Sequence, residues 1–291
     1  MRAIIACCLV VLAAMSFAWA GSGPMPSVTI DAAMRGNAFV ADPDVSGAWI
    51  YNPAALASLA GLQSSDSAGQ WKHTASATFE VKGDSDLFAV NWGGVKAGKD
   101  FGLGAGYAKA WDAKAYGVGL GKAWADKGIS WGVSWQHIDA DDYAVVPGDA
   151  DSDSQNLFDL GMLGRLPSID LGGISNVRYG VVLRDLTAQF ERTWDLGVAF
   201  DTPLGIAVAI DMADLTNEVD RRFRFGGTMR LGMTKAWQVG LGFDEGDPTA
   251  GFVYDGGTLW QGGSWRFGAA WQSVDRGDDS ILLGAYAKWC L

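Results

Sequence analysis

The sequence predicts an all-β fold, a fourteen-stranded antiparallel transmembrane β-barrel with an N-terminal hatch or plug segment. Three observations predict it: a two-residue apolar/polar rhythm over most of the chain, an export signal at the N-terminus, and some fifty residues between them that lack the rhythm. The rhythm is plain in Trp194, Leu196, Val198 and Phe200, which alternate with Asp195, Gly197, Ala199 and Asp201. Successive side chains of a strand point to opposite faces, so such a segment carries one apolar and one polar or small face. In a soluble sandwich the apolar faces meet in a core. In a membrane barrel they face lipid and the polar faces line the lumen.

Residues 1–20 read as a signal peptide: Arg2, an apolar run from Ala3 to Phe17, then Ala18-Trp19-Ala20 before Gly21. The run is shorter than the ~20 residues of a spanning helix. Of the three cysteines, Cys7 and Cys8 leave with the signal, and Cys290 alone cannot form an internal disulfide. The formal charge is −11, and cleavage removes only one basic residue, so the chain lacks the basic footprint of a nucleic-acid binder. No later segment approaches the ~18 consecutive apolar residues of a spanning helix, whereas a barrel strand spans with about ten alternating ones.

Residues 21–70 form the expected plug segment. It contains the turn Ala41-Asp42-Pro43-Asp44 and the helix start Asn52-Pro53-Ala54-Ala55-Leu56, with Asn52 as cap and Pro53 in the first turn. The polar stretch 64–69 reads as a linker. The barrel occupies 71–291, with strands expected near 71–82, 84–92, 100–111, 114–124, 129–138, 155–166, 175–185, 192–202, 205–213, 221–232, 235–245, 248–254, 264–274 and 279–290. The count is even, as bacterial single-chain barrels require. Connections after odd-numbered strands include the longest, the acidic run from Asp139 to Ser154, and the other set is mostly shorter. Long outside loops and short inside turns are the barrel pattern.

Tryptophans gather at strand ends, among them Trp111, Trp124, Trp194, Trp237 and Trp289. They suit an interfacial girdle or a sandwich core, and fourteen apolar faces favour the girdle. On the opposite face, Gly102, Gly104, Gly106, Gly117, Gly119 and Gly121 leave bare backbone. Glycine there either admits a close neighbour, for which segment 21–70 is the candidate, or relieves crowding in a curved wall. Mid-barrel sidedness implies that Arg in place of Val118, Val198 or Val239 is costly, while lumen positions such as Ala199 and Gln238 tolerate it.

The segment from Phe39 to Ala57, with Ala41-Asp42, Asp44, Ser46, Ala48 and Asn52-Pro53-Ala54-Ala55-Leu56-Ala57, resembles the N-terminal signature of FadL-like outer-membrane proteins, in particular their shorter PorV/PorQ-type members. The resemblance implies a fourteen-stranded barrel whose hatch carries Asp42, Asp44, Asn52, Pro53 and Ala54. It also implies passage of small hydrophobic molecules or, in the PorV branch, a membrane component for protein export and surface attachment.

Chemistry beyond this is thin. His73 and His137 are far apart and lack cysteine partners, so neither a metal site nor a histidine-based triad is supported. No nucleotide or nucleophile motif is present. Asp149, Asp151 and Asp153 open like a calcium loop, but Ser154 and Leu160 stand where glycine and glutamate are needed. Arg276-Gly277-Asp278 sits in a turn of small charged residues and reads as coincidence. The chain is therefore expected to be no enzyme and to need no cofactor or metal. Arg178, Arg184, Arg222, Arg224, Arg230 and Arg266 share the polar face with Asp159, Asp195, Asp201, Asp211 and Asp244. They form either a paired network that stiffens the barrel and holds the plug, or a guide for an amphipathic or anionic ligand. The expected location is the outer membrane. The expected partners are its lipid and a hydrophobic small molecule or an envelope protein; the alternatives are a non-transporting envelope scaffold and a secreted soluble β protein.

Overall fold

A computed structural model describes residues 28–43, 46–57, 70–96, 99–111, 113–140, 154–166, 173–187, 192–216, 221–260, 263–273 and 279–290. The signal peptide, Asp44, the linker at 64–69, the acidic run 141–153 and Arg276 to Asp278 lie outside these residues.

Fourteen antiparallel strands form a closed barrel. They are β1 (Trp71–Lys82), β2 (Phe88–Lys96), β3 (Phe101–Ala110), β4 (Ala113–Trp124), β5 (Ile129–Ala140), β6 (Ser154–Arg165) and β7 (Ser175–Leu183), followed by β8 (Trp194–Asp201), β9 (Ile206–Ala213), β10 (Arg222–Leu231), β11 (Trp237–Asp244), β12 (Asp247–Trp260), β13 (Gly263–Gln272) and β14 (Ser280–Cys290). Each strand pairs with its neighbours in sequence, and β1 closes on β14 from Lys72 opposite Cys290 to Lys82 opposite Ile281. Closure satisfies every edge, which is what lets strands cross a bilayer.

The predicted rhythm is the observed sidedness. On β4, Tyr116, Val118 and Leu120 are exposed while Ala113, Ala115, Gly117, Gly119 and Gly121 are buried. Trp194, Leu196 and Val198 likewise face out on β8 while Asp195 and Ala199 face in. Large apolar side chains thus cover the outside of the wall and small or polar ones fill its inside, the inverse of a soluble sandwich. Aromatic rings gather toward both ends of the outer face. At one end His73 stacks among Trp71, Trp92 and Trp289, with centroids 6.1, 5.7 and 5.3 Å away. At the other, Tyr116, Trp135 and His137 form a second group. Among the described residues no helix is long and apolar enough to cross a membrane.

Two strand limits differ from expectation. The second strand lies at 88–96, not 84–92. The residues before it make a turn in which the Ser85 N–H and hydroxyl donate to the Glu80 carboxylate at 2.8 and 2.9 Å, and Asp86 takes a positive φ of 49°. Gly93 and Gly94, just past the expected limit, are interior to the strand; the His73 and Trp92 rings lie over Gly94. The twelfth strand runs to Trp260, well past residue 254. The strand continues through Asp255-Gly256-Gly257 with register shifts between Asp255 and Thr258 and between Thr258 and Trp260, and Gly257 sits at φ +81°.

Candidate functional site

Among the described residues before β1 the chain forms two one-turn helices, Ile30–Ala33 and Ala48–Tyr51, and a 3-10 turn, Pro53–Ala57. Thr29 caps the first, its Oγ1 accepting from the Ala32 N–H at 3.3 Å. Asn52 organises the third. Its Oδ1 accepts from the Ala54 N–H at 3.1 Å, and its Nδ2 donates to the carbonyls of Val40 (2.9 Å) and of Met162 on β6 (3.2 Å). A fully buried asparagine thus caps one turn, ties it to the preceding loop and fastens both to the wall.

This short segment touches the whole ring. Leu56 packs on Gly102, Gly104 and Gly119, and Trp49 on Gly106 and Gly117. Pro53 meets Gly132 of β5 and Gly161 of β6, and Val40 meets Gly180 of β7 and Gly197 of β8. Arg35 lies on Gly226 of β10 and Gly242 of β11, Met34 on Gly251 of β12, and Ile30 on Gly268 of β13 and Gly284 of β14. The remaining strands are reached by hydrogen bonds: Ser46 to Ser76 of β1 (3.1 Å), Trp49 Nε1 to Asn91 Oδ1 of β2 (2.8 Å), and the N–H groups of Phe39 and Val40 to Asp211 of β9 (2.5 and 2.6 Å). Only a position inside the lumen allows one segment to contact all fourteen strands. The glycines are sites of close approach: a Cβ at Gly121 would stand 3.0 Å from both the Ala57 nitrogen and the Pro53 carbonyl oxygen.

Charged side chains hold the other part of the ring. Arg178 pairs with Asp42 and, at 3.7 Å, with Asp201; Asp42 also receives Arg35 at 3.0 Å. Arg266 reaches the Asp31 carboxylate at 3.3 Å, and Asn37 donates to Asp244 at 2.7 Å. Arg224 pairs with that same Asp244 at 3.1 Å, and Arg222 with Glu245 at 3.3 Å. Arg184 donates to Asp159 and Asp195 on the wall at 2.9 and 2.8 Å, and to the carbonyls of Ile50 and Tyr51 in the segment at 2.5 and 2.8 Å.

Five of the six inward arginines therefore sit in ion pairs, and three of them, Arg178, Arg184 and Arg266, bind residues of the segment directly. Arg230 is the exception. It keeps the parity of Arg224 but stands exposed near the end of β10. Ala199 also departs from expectation as a tolerant lumen position, because it is fully buried and clustered with Ala38 and Ala41 of the segment. Sequence reasoning missed Asp31, Arg35, Ser76 and Asn91. The signal available for the two wall residues was parity, which places Ser76 and Asn91 on the inward faces of β1 and β2. Among the described residues no group of three His, Cys, Asp or Glu side chains could hold a metal ion.

The lumen wall is two-sided. Ala89, Asn91, Ala108, Ala110, Ala113, Ala115, Ser134, Gln136 and Ile138 leave the run from β2 to β5 uncharged, while Asp159, Arg184, Asp195, Asp211, Arg224 and Asp244 make the run from β6 to β11 charged.

No family model and no curated protein matches the chain. Solved structures do. The CymD monoaromatic hydrocarbon channel superposes with a TM-score of 0.54 at 12% identity, over 93% of this chain and 98% of its own. The toluene transporter TodX of Pseudomonas putida gives 0.49 at 10% identity over 94% and 98%, and the outer membrane protein Omp33 of Acinetobacter baumannii 0.46 at 10% over 76% and 98%. The likeness to CymD spans nearly the full length of both chains and speaks for the fold. That barrel fold is the one the Asn52–Ala57 resemblance implied.

Proposed function

We propose that the protein is an outer-membrane channel for small apolar molecules, and that segment 28–57 is the hatch that closes it. The observation that carries the reading is the seating of one segment against all fourteen strands of a barrel whose outer face suits lipid. The uncharged run from β2 to β5 offers a surface along which an uncharged solute could pass the hatch without desolvating charged groups. The aligned CymD is a monoaromatic hydrocarbon channel, and toluene is a suitable probe of the same class.

The test is reconstitution in vesicles. Vesicles carrying the protein should equilibrate toluene faster than empty ones while conducting few ions, and deletion of residues 28–57 should produce open, ion-conducting pores. A deletion variant as silent as the parent would remove the hatch. For the lipid-facing assignment, Val118→Arg should destabilise the barrel by about 2–4 kcal/mol if that position lies mid-bilayer, and Gln238→Arg on the inner face by less. Denaturation midpoints in vesicles measure both.

The contact of the segment with all fourteen strands also favours a second reading, a closed scaffold of the envelope or a component of protein export. Failure of both parent and deletion variant to pass solute, together with a polypeptide that copurifies stoichiometrically, would favour it.

A further inference from the structure

Arg184, the residue after β7, joins three parts of the molecule: the segment, β6 and β8. Its guanidinium lies on the carbonyls of Ile50 and Tyr51, which end the helix Ala48–Tyr51 and have no acceptor role inside it. The same group bridges Asp159 of β6 and Asp195 of β8. Each of those carboxylates uses its other oxygen to anchor a connection between strands: Asp159 accepts the Asp185 N–H and Asp195 the Asp214 N–H, both at 3.0 Å.

The described residues of the two connections are copies of one another. Asp185-Leu186-Thr187 with Arg192 follows β7, and Asp214-Leu215-Thr216 with Arg221 follows β9, in the same spacing. Both aspartates adopt φ 49°. Each threonine hydroxyl donates to the aspartate two residues before it, at 2.6 and 3.1 Å. Each arginine donates to the leucine carbonyl six residues before it, at 3.2 and 2.9 Å, and each leucine N–H donates to the preceding even-numbered strand at 2.7 Å. Leu186 and Leu215 stand exposed on top, 38% and 39% accessible.

Resting on the hatch reading above, we propose that Arg184 is the latch of the hatch, and that the paired Asp-Leu-Thr turns are the surface through which an arriving apolar solute releases it. A solute that settles on Leu186 and Leu215 pulls on Asp185 and Asp214. The strain passes through Asp159 and Asp195 to the guanidinium, and the Ile50 and Tyr51 carbonyls lose their donor. Arg184 is a positioning residue in this scheme, since it does not touch the solute.

The experiment follows the fully buried Ala55 as an Ala55→Cys substitution in a Cys290→Ser background, reconstituted in vesicles and exposed to a water-soluble maleimide. Arg184→Gln should speed labelling about tenfold, the expected result of losing charge-assisted hydrogen bonds, with Arg184→Lys in between. Retained heat-modifiable mobility on electrophoresis shows that the barrel is folded, and if Arg184→Gln fails to fold, Arg184→Lys carries the test. Joint Thr187→Val and Thr216→Val substitution should speed labelling severalfold in the parent and add nothing once Arg184 is replaced, since residues in one network are not additive. Toluene should speed labelling in the parent and not in Arg184→Gln. Unchanged labelling in a folded Arg184→Gln or Arg184→Lys protein overturns the latch, and additive effects of the threonine changes overturn the link to the turns. Fast labelling already in the parent overturns the hatch itself, a different failure.

Discussion

The β3–β4 wall and the β7–β11 wall hold the same segment by opposite means. On β3 and β4, Gly102 stands opposite Gly121, Gly104 opposite Gly119 and Gly106 opposite Gly117, so three glycine pairs in register present bare backbone to Leu56 and Trp49. From β7 to β11 the wall offers Arg178, Arg184 and Asp211, which grip Asp42, the carbonyls of Ile50 and Tyr51, and the N–H groups of Phe39 and Val40. Shape fixes one side of the segment and charge fixes the other. A shape contact excludes added volume but gains nothing from chemistry. A polar contact is sensitive to the loss of one partner, because the group left behind stays buried and unsatisfied.

The largest effect should come from the polar side. Asp211→Ala orphans two buried N–H groups, each at a cost of about 1–3 kcal/mol, whereas Asp211→Asn keeps an acceptor and should lose less. Denaturation midpoints of the two variants compare them directly, and equal losses would break the distinction between the walls. Next, Gly121→Val should cost about 1–3 kcal/mol by overpacking against Pro53 and Ala57. The same substitution in a chain lacking residues 28–57 should be neutral or favourable, because valine suits a strand better than glycine. A penalty that persists without the segment would show that the glycines serve curvature instead. The smallest effect belongs to Arg230→Gln. That arginine is exposed at the end of its strand, and its removal should shift stability by no more than about 0.5 kcal/mol.

These contrasts also mark what the sequence made legible. Side-chain parity placed Val118 outside and Arg184 inside, because a strand has a period of two and a one-residue slip would invert both faces. Strand limits were harder to read where glycine stood for two different things. Gly93 and Gly94 look like a turn and are interior, while Gly83 looks the same and does begin a turn, at φ +137°. Parity put Asp159, Asp195, Asp201 and Asp244 on the arginines' own face, where they do pair with them, but the arginines' partners in the segment were not legible. Asp42 lies 136 positions before Arg178 and Asp31 lies 235 before Arg266, and no local pattern encodes pairings over such separations. Ala199 shows the same limit: its parity is inward, but whether inward means water or a packed neighbour depends on Ala38 and Ala41, far away in sequence.

The seam between β1 and β14 imposes an order on assembly. Lys72 cannot meet Cys290, nor Ala77 meet Ala285, until the last strand has been delivered. Ile30 and Asp31 depend on that strand as well, through Gly284 and the Tyr286 hydroxyl, which accepts the Asp31 N–H at 3.0 Å. Such non-local contacts form late, since the chain must first give up the entropy of a long loop. Until that seam is made the sheet is an open trough, and the segment's contacts with the wall are complete only once the last strand is in place.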